Sequence, residues 1–445
     1  MAISQTRADV PAIEAAGRTA VAVTFVTLGV TYGVWYSYSV FLVALLKEFG
    51  WSRSVLAGAF SVFVIVHGLS GPALGWLVER LGPRRVIMTG SALTAIGLGL
   101  AAETRAAWHL YLAFGVIAAA GVSSSGWVPS VVLVRGWFPS RIGTALGVAS
   151  AGIGVGIFAL VPLAQLLIDS FGWRWAMRAL GLLVVGWAIP ATALLVRDPV
   201  DRGESTPHRP AHAPEFAAQS AGASAAGSGR RAASASSSAS ISTPHWTLAA
   251  ALRSWRFWTI AGVFVTGSFA TQTLLVHQVA YLVDHGVPAL AAAAVVGVVG
   301  LASVAGKTGW GALSDRYGRE PAYTLAFACV LASVGMLAVA GAWPGRVLPY
   351  AYAVLIGLGY AATAPLTPAV ASDLFGSPRF ARIFGVLHST NSIGGAVGAW
   401  AGGRIFDVTG SYAPVLWVTA VMAVSAPALL WLAAPRRPNP PPPAS

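Results

Sequence analysis

A single lysine interrupts a long apolar run. Between Ala289 and Ser314 the only charged residue is Lys307, and Asp315 follows it eight residues later. If this run is a helix, the 1.5 Å rise per residue sets Lys307 about 12 Å above that end, close to the middle of a bilayer. Holding an ammonium group there costs about 2.5–3.5 kcal/mol on insertion scales, which makes it a functional candidate by default. The plainer alternative, a stem that reaches back to the interface, is hard to realise at that depth. Glu103, Asp169, Asp284, Asp373 and Asp407 all stand near the ends of apolar runs and none stands in a middle. A buried positive charge with no buried acid predicts an anionic ligand, which would then be its counter-charge. It argues against organic cations.

Other polar side chains lie at similar depth. His67, His277 and His388 could each titrate near neutral pH. His67 reads as a neutral histidine hydrogen-bonded to a neighbouring helix. His277 beside Gln278, and His388 followed by Ser389, Thr390 and Asn391, are candidates for a cavity wall. Tyr32, Trp35, Tyr36 and Ser39 follow the i, i+3, i+4, i+7 spacing of one helix face. Such stripes are commonly packing, yet hydroxyls among lipid tails suit a partly wet cavity with an apolar wall beside a cation. Trp127 and Tyr360 are further cavity candidates, while Ser123, Ser124 and Ser125 read as close helix packing by small residues. A coupled proton would travel through Lys307, a histidine or the acid form of the ligand itself.

These side chains need membrane helices to position them. The chain has 445 residues, 56% hydrophobic and only 10% charged, whereas soluble domains carry about a quarter charged residues. Mean hydropathy is +0.70. Apolar runs such as Phe257 to Val276 and Val415 to Ala434 last about twenty residues, the length of a transmembrane helix, and lack the alternation of a membrane barrel. The fold class expected is therefore an all-α polytopic membrane protein with about twelve transmembrane helices in two six-helix bundles. The spans are 20–46, 54–78, 85–103, 108–135, 142–168 and 174–196, then 254–283, 289–314, 321–342, 346–373, 380–406 and 412–434.

The domain expectation follows: an N-terminal tail (1–19), a first bundle (20–196), a low-complexity linker (197–250), a second bundle (251–434) and a C-terminal tail (435–445). The linker includes SAGASAAGSGRRAASASSSAS, too poor in apolar residues to fold alone. The first 20 residues carry Arg7, Asp9, Glu14 and Arg18 without the order of a signal peptide, so the first apolar run is expected to be retained. A net charge of +13 belongs, in a membrane protein, to loops on the cytoplasmic side rather than to nucleic-acid binding. With both termini cytoplasmic, Arg80, Arg84, Arg85, Arg135, Arg141, Arg316, Arg319, Arg379, Arg382, Arg436 and Arg437 fall inside. The other side keeps Lys47, Arg53, Arg105, Arg174, Arg178, Arg346 and Arg404.

Several chemistries have no support. One cysteine, Cys329, cannot form a disulfide or a thiolate metal site within the chain. No Walker A loop, G-x-S-x-G elbow or H-E-x-x-H helix occurs, and Gly306-Lys307-Thr308 lacks the upstream glycine of a phosphate loop. The expectation is that the chain is no enzyme and has no cofactor or metal, with a proton as the only coupling ion, and with lipid and a small organic anion as its partners. No protein-partner motif stands out.

The two halves share a motif. Gly75-Trp76-Leu77-Val78-Glu79-Arg80-Leu81-Gly82 and Gly311-Ala312-Leu313-Ser314-Asp315-Arg316-Tyr317-Gly318 both read G-x-x-x-[DE]-R-x-G, the first followed by Pro83-Arg84-Arg85. A weaker echo links Trp137 to Arg141 with Leu374, Phe375 and Arg382. With twelve runs and a central linker, this doubled motif resembles the major facilitator superfamily. Glu79 for aspartate, and Glu320-Pro321 where basic residues would follow, depart from its pattern.

Tyr32 to Tyr36, Phe49-Gly50-Trp51-Ser52-Arg53, Gly136-Trp137-Phe138, His277-Gln278 and Tyr281-Leu282 look most similar to bacterial relatives of monocarboxylate transporters and oxalate/formate exchangers. The resemblance implies the major facilitator fold and transport by alternating access. It implies a carboxylate-binding cation four residues before Gly311, where Lys307 stands and relatives more often have arginine. A lysine lacks arginine's bidentate fork. It further implies a gate on the cytoplasmic side, built from Gly75, Glu79, Arg80, Gly82, Gly311, Asp315, Arg316 and Gly318, with Arg135 and Arg141 as partners. The Gly-rich stretches 147–156 and 394–403 would let helices rock closely.

The expected function is secondary transport of a small organic anion, foremost a monocarboxylate with proton cotransport, in a bacterial inner membrane. Anion exchange is a close alternative. Efflux of hydrophobic compounds and a transport-dead sensor are the others.

Overall fold

The computed structural model describes residues 9–138, 142–196, 246–342, 347–376 and 380–433. Most of the expected linker, both tail ends and Arg141 lie outside these described residues. Twelve long helical segments follow one another: α1 (Ala15–Phe49), α2 (Arg53–Leu69 with Gly71–Leu81), α3 (Pro83–Ala102), α4 (Ala107–Trp137), α5 (Ile142–Phe171), α6 (Trp173–Leu195), α7 (Trp255–Asp284), α8 (Ala289–Tyr317), α9 (Arg319–Ala342), α10 (Leu348–Phe375), α11 (Phe380–Thr409) and α12 (Ala413–Ala433). No strand occurs among the described residues.

Ten of these segments are long and apolar enough to cross a membrane, and the two parts of α2, bent by 52°, make an eleventh. At 30 residues α11 has the length as well. Arg382, Arg404 and Asp407 near its ends and the Ser389 to Ser392 stretch in its middle lower its hydropathy. The expected span 54–78 is thus a bent pair meeting at Ser70, two residues before Pro72. Proline lacks the N–H that would continue the helix ladder.

The two halves repeat each other more deeply than the loop motif suggests. Positive φ is confined to six glycines among the described residues, and they form three pairs at equivalent turns: Gly50 with Gly286, Gly82 with Gly318, and Gly172 with Gly410. At Gly82 and Gly318, the last residues of the two motif copies, φ is 80° and 103° and each amide closes the preceding helix on Val78 O and Ser314 O at 2.9 Å. Only glycine takes such backbone angles without a steric penalty.

A fourth correspondence lies inside the helices. Within α4 the helix breaks at Gly126, three residues before Pro129; within α10 it breaks at Ala362, three residues before Pro365. In each case proline removes the donor that would bond the carbonyl four residues back. A third break, at Ser37, divides α1. Irregular backbone at membrane depth is tolerated where it is buried in protein or lines a cavity. All three breaks adjoin aromatic residues that the sequence marks as cavity candidates: Tyr36, Trp127 and Tyr360.

The halves meet along α2 with α11 and α5 with α8. A Cβ added to Gly300 of α8 would fall 2.6 Å from the Gly154 carbonyl oxygen of α5, and one added to Gly297 would fall 3.1 Å from Phe158 O. Along the other seam the Ser61 hydroxyl donates to Ala396 O at 2.6 Å. Glycine lets these backbones approach, as small residues do throughout membrane bundles. The expected packing role of the serine run also fits: Ser123, Ser124 and Ser125 donate to carbonyls one turn back in α4. A Cβ on Gly90 of α3 would meet the Ser124 side chain at 2.6 Å.

Candidate binding site between the two halves

Lys307 is half-buried in α8 and makes no ion pair among the described residues. One turn away on the same helix, Ser303 is fully buried. Its hydroxyl approaches that of Tyr360 from α10, which in turn approaches that of Tyr36 from α1. The Tyr36 and Tyr360 rings lie 6.4 Å apart across the boundary between the halves. Tyr360 is 8% exposed, and its hydroxyl makes no hydrogen bond of normal geometry. A ligand oxygen here would meet a hydroxyl that Ser303 and Tyr36 satisfy only imperfectly. The α8–α10 contact that brings Ser303 and Tyr360 together depends on Gly306, where a Cβ would fall 2.7 Å from Ala361 Cβ, and on the Trp310 indole donating to Leu358 O at 2.8 Å.

Aromatic rings continue the wall on the N-terminal side. Trp35 stacks on Tyr32 at 5.6 Å and on Tyr36 at 6.1 Å, and meets His67 edge-on at 4.5 Å. His67 therefore packs against the Tyr32 and Trp35 rings. The Trp35 indole N–H is buried and unpartnered, like the Tyr360 hydroxyl. Tyr32 faces the backbone at Trp127, beside the α4 break. From α11, His388 is exposed, meets the Phe384 ring at a tilt with centroids 5.9 Å apart and is close enough to His67 to interact with it electrostatically. Asn391, one turn further along α11, is half-buried.

His277 stands apart from this group. It is 3% exposed, with Nε2 2.9 Å from Ala399 O and Nδ1 3.3 Å from the Tyr412 hydroxyl. Its surroundings are Thr273, Gln278, Tyr281 and Leu337. The sequence places it beside Lys307 in role; the packing ties it to the end of the bundle opposite the loop motifs.

That opposite end carries a cluster that the sequence reading did not assemble. Arg53, on the first turn of α2, reaches Asp284 of α7 at 2.6 Å and the Tyr412 hydroxyl at 2.6 Å, with Phe406 beneath its guanidinium at 3.9 Å. Asp407 of α11 accepts the backbone N–H groups of Arg53 and Ser54, both at 2.9 Å. The available signal was the placement of acids at run ends facing one of the few arginines on that side. A cavity of about 530 Å³ opens beside the cluster, with His285 and Tyr281 in its wall. On the same side Arg174 pairs with Glu48 at 2.8 Å, and Arg178 donates to Glu103. The Arg178 hydrogen bond, with its charge, holds the exposed Glu103 carboxyl below the usual carboxylate range.

At the motif end the ties are different. Arg319 joins Asp315 at 2.6 Å and Asp373 at 3.1 Å, all within the C-terminal half. Glu79 and Arg80 are exposed, Arg80 lies over the Trp76 ring at 4.1 Å, and neither joins an ion pair among the described residues. Arg316 rests on Tyr317 at 5.3 Å. Arg135 is exposed, so the expected pairing of the first motif copy with Arg135 does not occur in this conformation. Gly75 has no neighbour within 4 Å of an added Cβ and Gly311 only Pro365 at 3.8 Å, so neither is a site of close approach here.

Twelve long helical segments in two repeated halves, with broken helices and polar groups where the halves meet, are the architecture of a polytopic membrane transporter. The chain belongs to the Major Facilitator Superfamily, which it matches over residues 24–376 and 310–445. It is similar to monocarboxylate transporter 13 of Rattus norvegicus, at 27% identity over 395 residues covering 87% of this chain and 82% of the relative. Monocarboxylate transporter 4 of Rattus norvegicus is 25% identical over 395 residues, covering 87% and 76%. In fold it resembles a bacterial homolog of the human lysosomal transporter Spinster, crystallised in an inward-facing, unoccupied conformation, with a TM-score of 0.65 at 15% identity over 94% of this chain and 97% of that one. The protein is a transporter rather than an enzyme.

Proposed function

We propose that this transporter carries a small monocarboxylate with a proton, by alternating access, in a bacterial inner membrane. The observation that carries the reading is Lys307: a half-buried cation without an ion-pair partner among the described residues, one turn along α8 from Ser303, whose hydroxyl adjoins that of Tyr360. A carboxylate on the ammonium group leaves the rest of a short acid against the hydroxyls and the Trp35–His67 aromatic wall. The names of the relatives at 25% and 27% identity support the same substrate class.

Both termini are cytoplasmic in this reading, because the arginines of the motif end then obey the positive-inside rule. The ion pairs support a conformation shut on the outside: the Arg53 cluster joins the halves there, while Arg319 with Asp315 and Asp373 stays within one half at the motif end. The two motif copies close the cytoplasmic side when the outer side opens. His388, exposed and near His67, is a second group through which a proton could pass.

The test is uptake of labelled lactate and a panel of mono- and dicarboxylates into proteoliposomes, with and without an alkaline interior. Monocarboxylate uptake driven by the pH gradient supports the reading. Uptake driven only by preloaded anion would make the protein an exchanger, and no carboxylate uptake at all would overturn the substrate class.

A further inference from the structure

The structure assigns Arg53, Asp284 and Asp407 a role as the outer gate: we propose that these residues hold the two halves shut on the outside and must part for substrate to enter from there. Only the words outer and inner rest on the orientation proposed above. The substrate class plays no part in the argument.

The first amides of a helix have no partner within it and carry the positive end of the helix dipole. In α2 the Ser52 hydroxyl accepts from the Val55 amide at 3.3 Å, which leaves the Arg53 and Ser54 amides open. Both are taken by the Asp407 carboxylate at 2.9 Å. The cap on an N-terminal-half helix is therefore supplied by the C-terminal half. Gly403, one turn earlier on α11, makes the approach feasible: a Cβ there would fall 2.7 Å from the Ser54 amide nitrogen.

The Arg53 side chain fastens the same seam a second time. Its guanidinium, whose side chain is 12% exposed, bonds Asp284 of α7 and the Tyr412 hydroxyl before α12, over the Phe406 ring. Charge-assisted bonds of this kind are about twice as strong as neutral ones. One residue of the first half thus holds three elements of the second, and the first turn of α2 cannot swing away from them without breaking these bonds. Bonds formed in one conformation only set the population of the other. Weakening the clasp must raise the fraction of molecules open to the outside.

The experiment uses the whole protein with Cys329→Ala and a reporter Ser61→Cys, buried on the α2–α11 seam. Labelling by a membrane-impermeant maleimide is timed from the outer face in intact cells and from the inner face in inverted vesicles, without substrate. Arg53→Gln and Asp407→Ala should each raise the outer rate about tenfold without raising the inner rate, and Arg53→Lys should fall between. Unchanged rates overturn the proposal. An equal rise from both faces marks general loosening of the bundle and overturns it as well.

Discussion

Tyr36 and Tyr360 face one another from opposite halves of the chain, ring centroids 6.4 Å apart, and each stands within two residues of a break in its own helix. The pair joins the two bundles at the level of Ser303 and, one turn further, Lys307. Because the Tyr360 hydroxyl is buried beside those of Ser303 and Tyr36 without a well-formed hydrogen bond, Tyr360→Phe costs the empty protein little. It removes one hydrogen bond from the bound acid. The expected result in proteoliposome uptake is a KM raised about tenfold, equivalent to about 1.4 kcal/mol, with a melting temperature unchanged or slightly higher.

Pro365 interrupts α10 beside this pair. Proline in a helix interior costs about 3 kcal/mol relative to alanine, and Pro365 stands three residues past the break at Ala362. Pro365→Ala should raise thermal stability in detergent while lowering maximal uptake several-fold. A variant that transports normally with a straightened α10 would show the break to be incidental.

In the proposed alternating access, α5 and α8 slide past each other at backbone contact. With 2.6 Å between a Cβ on Gly300 and the Gly154 carbonyl oxygen, any added side chain forces the halves apart. Gly300→Leu should reduce uptake at least tenfold, whereas Gly309→Leu, where an added Cβ meets nothing within 4 Å, should not. Uptake by the two variants, normalised to protein inserted, decides it.

The motif glycines make a matched pair of predictions. At φ of 80° and 103°, Gly82→Ala and Gly318→Ala each force an L-residue into sparsely populated backbone, at a cost of about 1–3 kcal/mol. Equal losses of thermal stability are expected, since the two turns have the same geometry. A loss at only one of them would contradict the repeat.

Much of this architecture is legible in the residues alone. Runs of about twenty apolar residues suffice for the helices, and the doubled G-x-x-x-[DE]-R-x-G reveals the two halves. The lone Lys307 marks the proposed site because an uncompensated charge is costly in lipid. The breaks at Gly126 and Ala362 were not read from the spans 108–135 and 346–373, although Pro129 and Pro365 stand at matching places. Nor was the Arg53 cluster: Asp284, Asp407 and Tyr412 lie more than two hundred residues away, and hydropathy does not report which helix ends meet. His277 shows the same limit, since its depth is apparent in sequence but its direction, toward Ala399 and Tyr412, is set by packing.

The most direct test of the account is uptake by Lys307→Gln beside wild type, under an inwardly alkaline pH gradient with labelled lactate. The substitution keeps the side chain polar and similar in length while removing its charge. The prediction is loss of gradient-driven uptake by the variant, with Lys307→Arg retaining part of it. Equal lactate uptake by wild type and Lys307→Gln would contradict the assignment of the carboxylate to Lys307, and with it the proposed site.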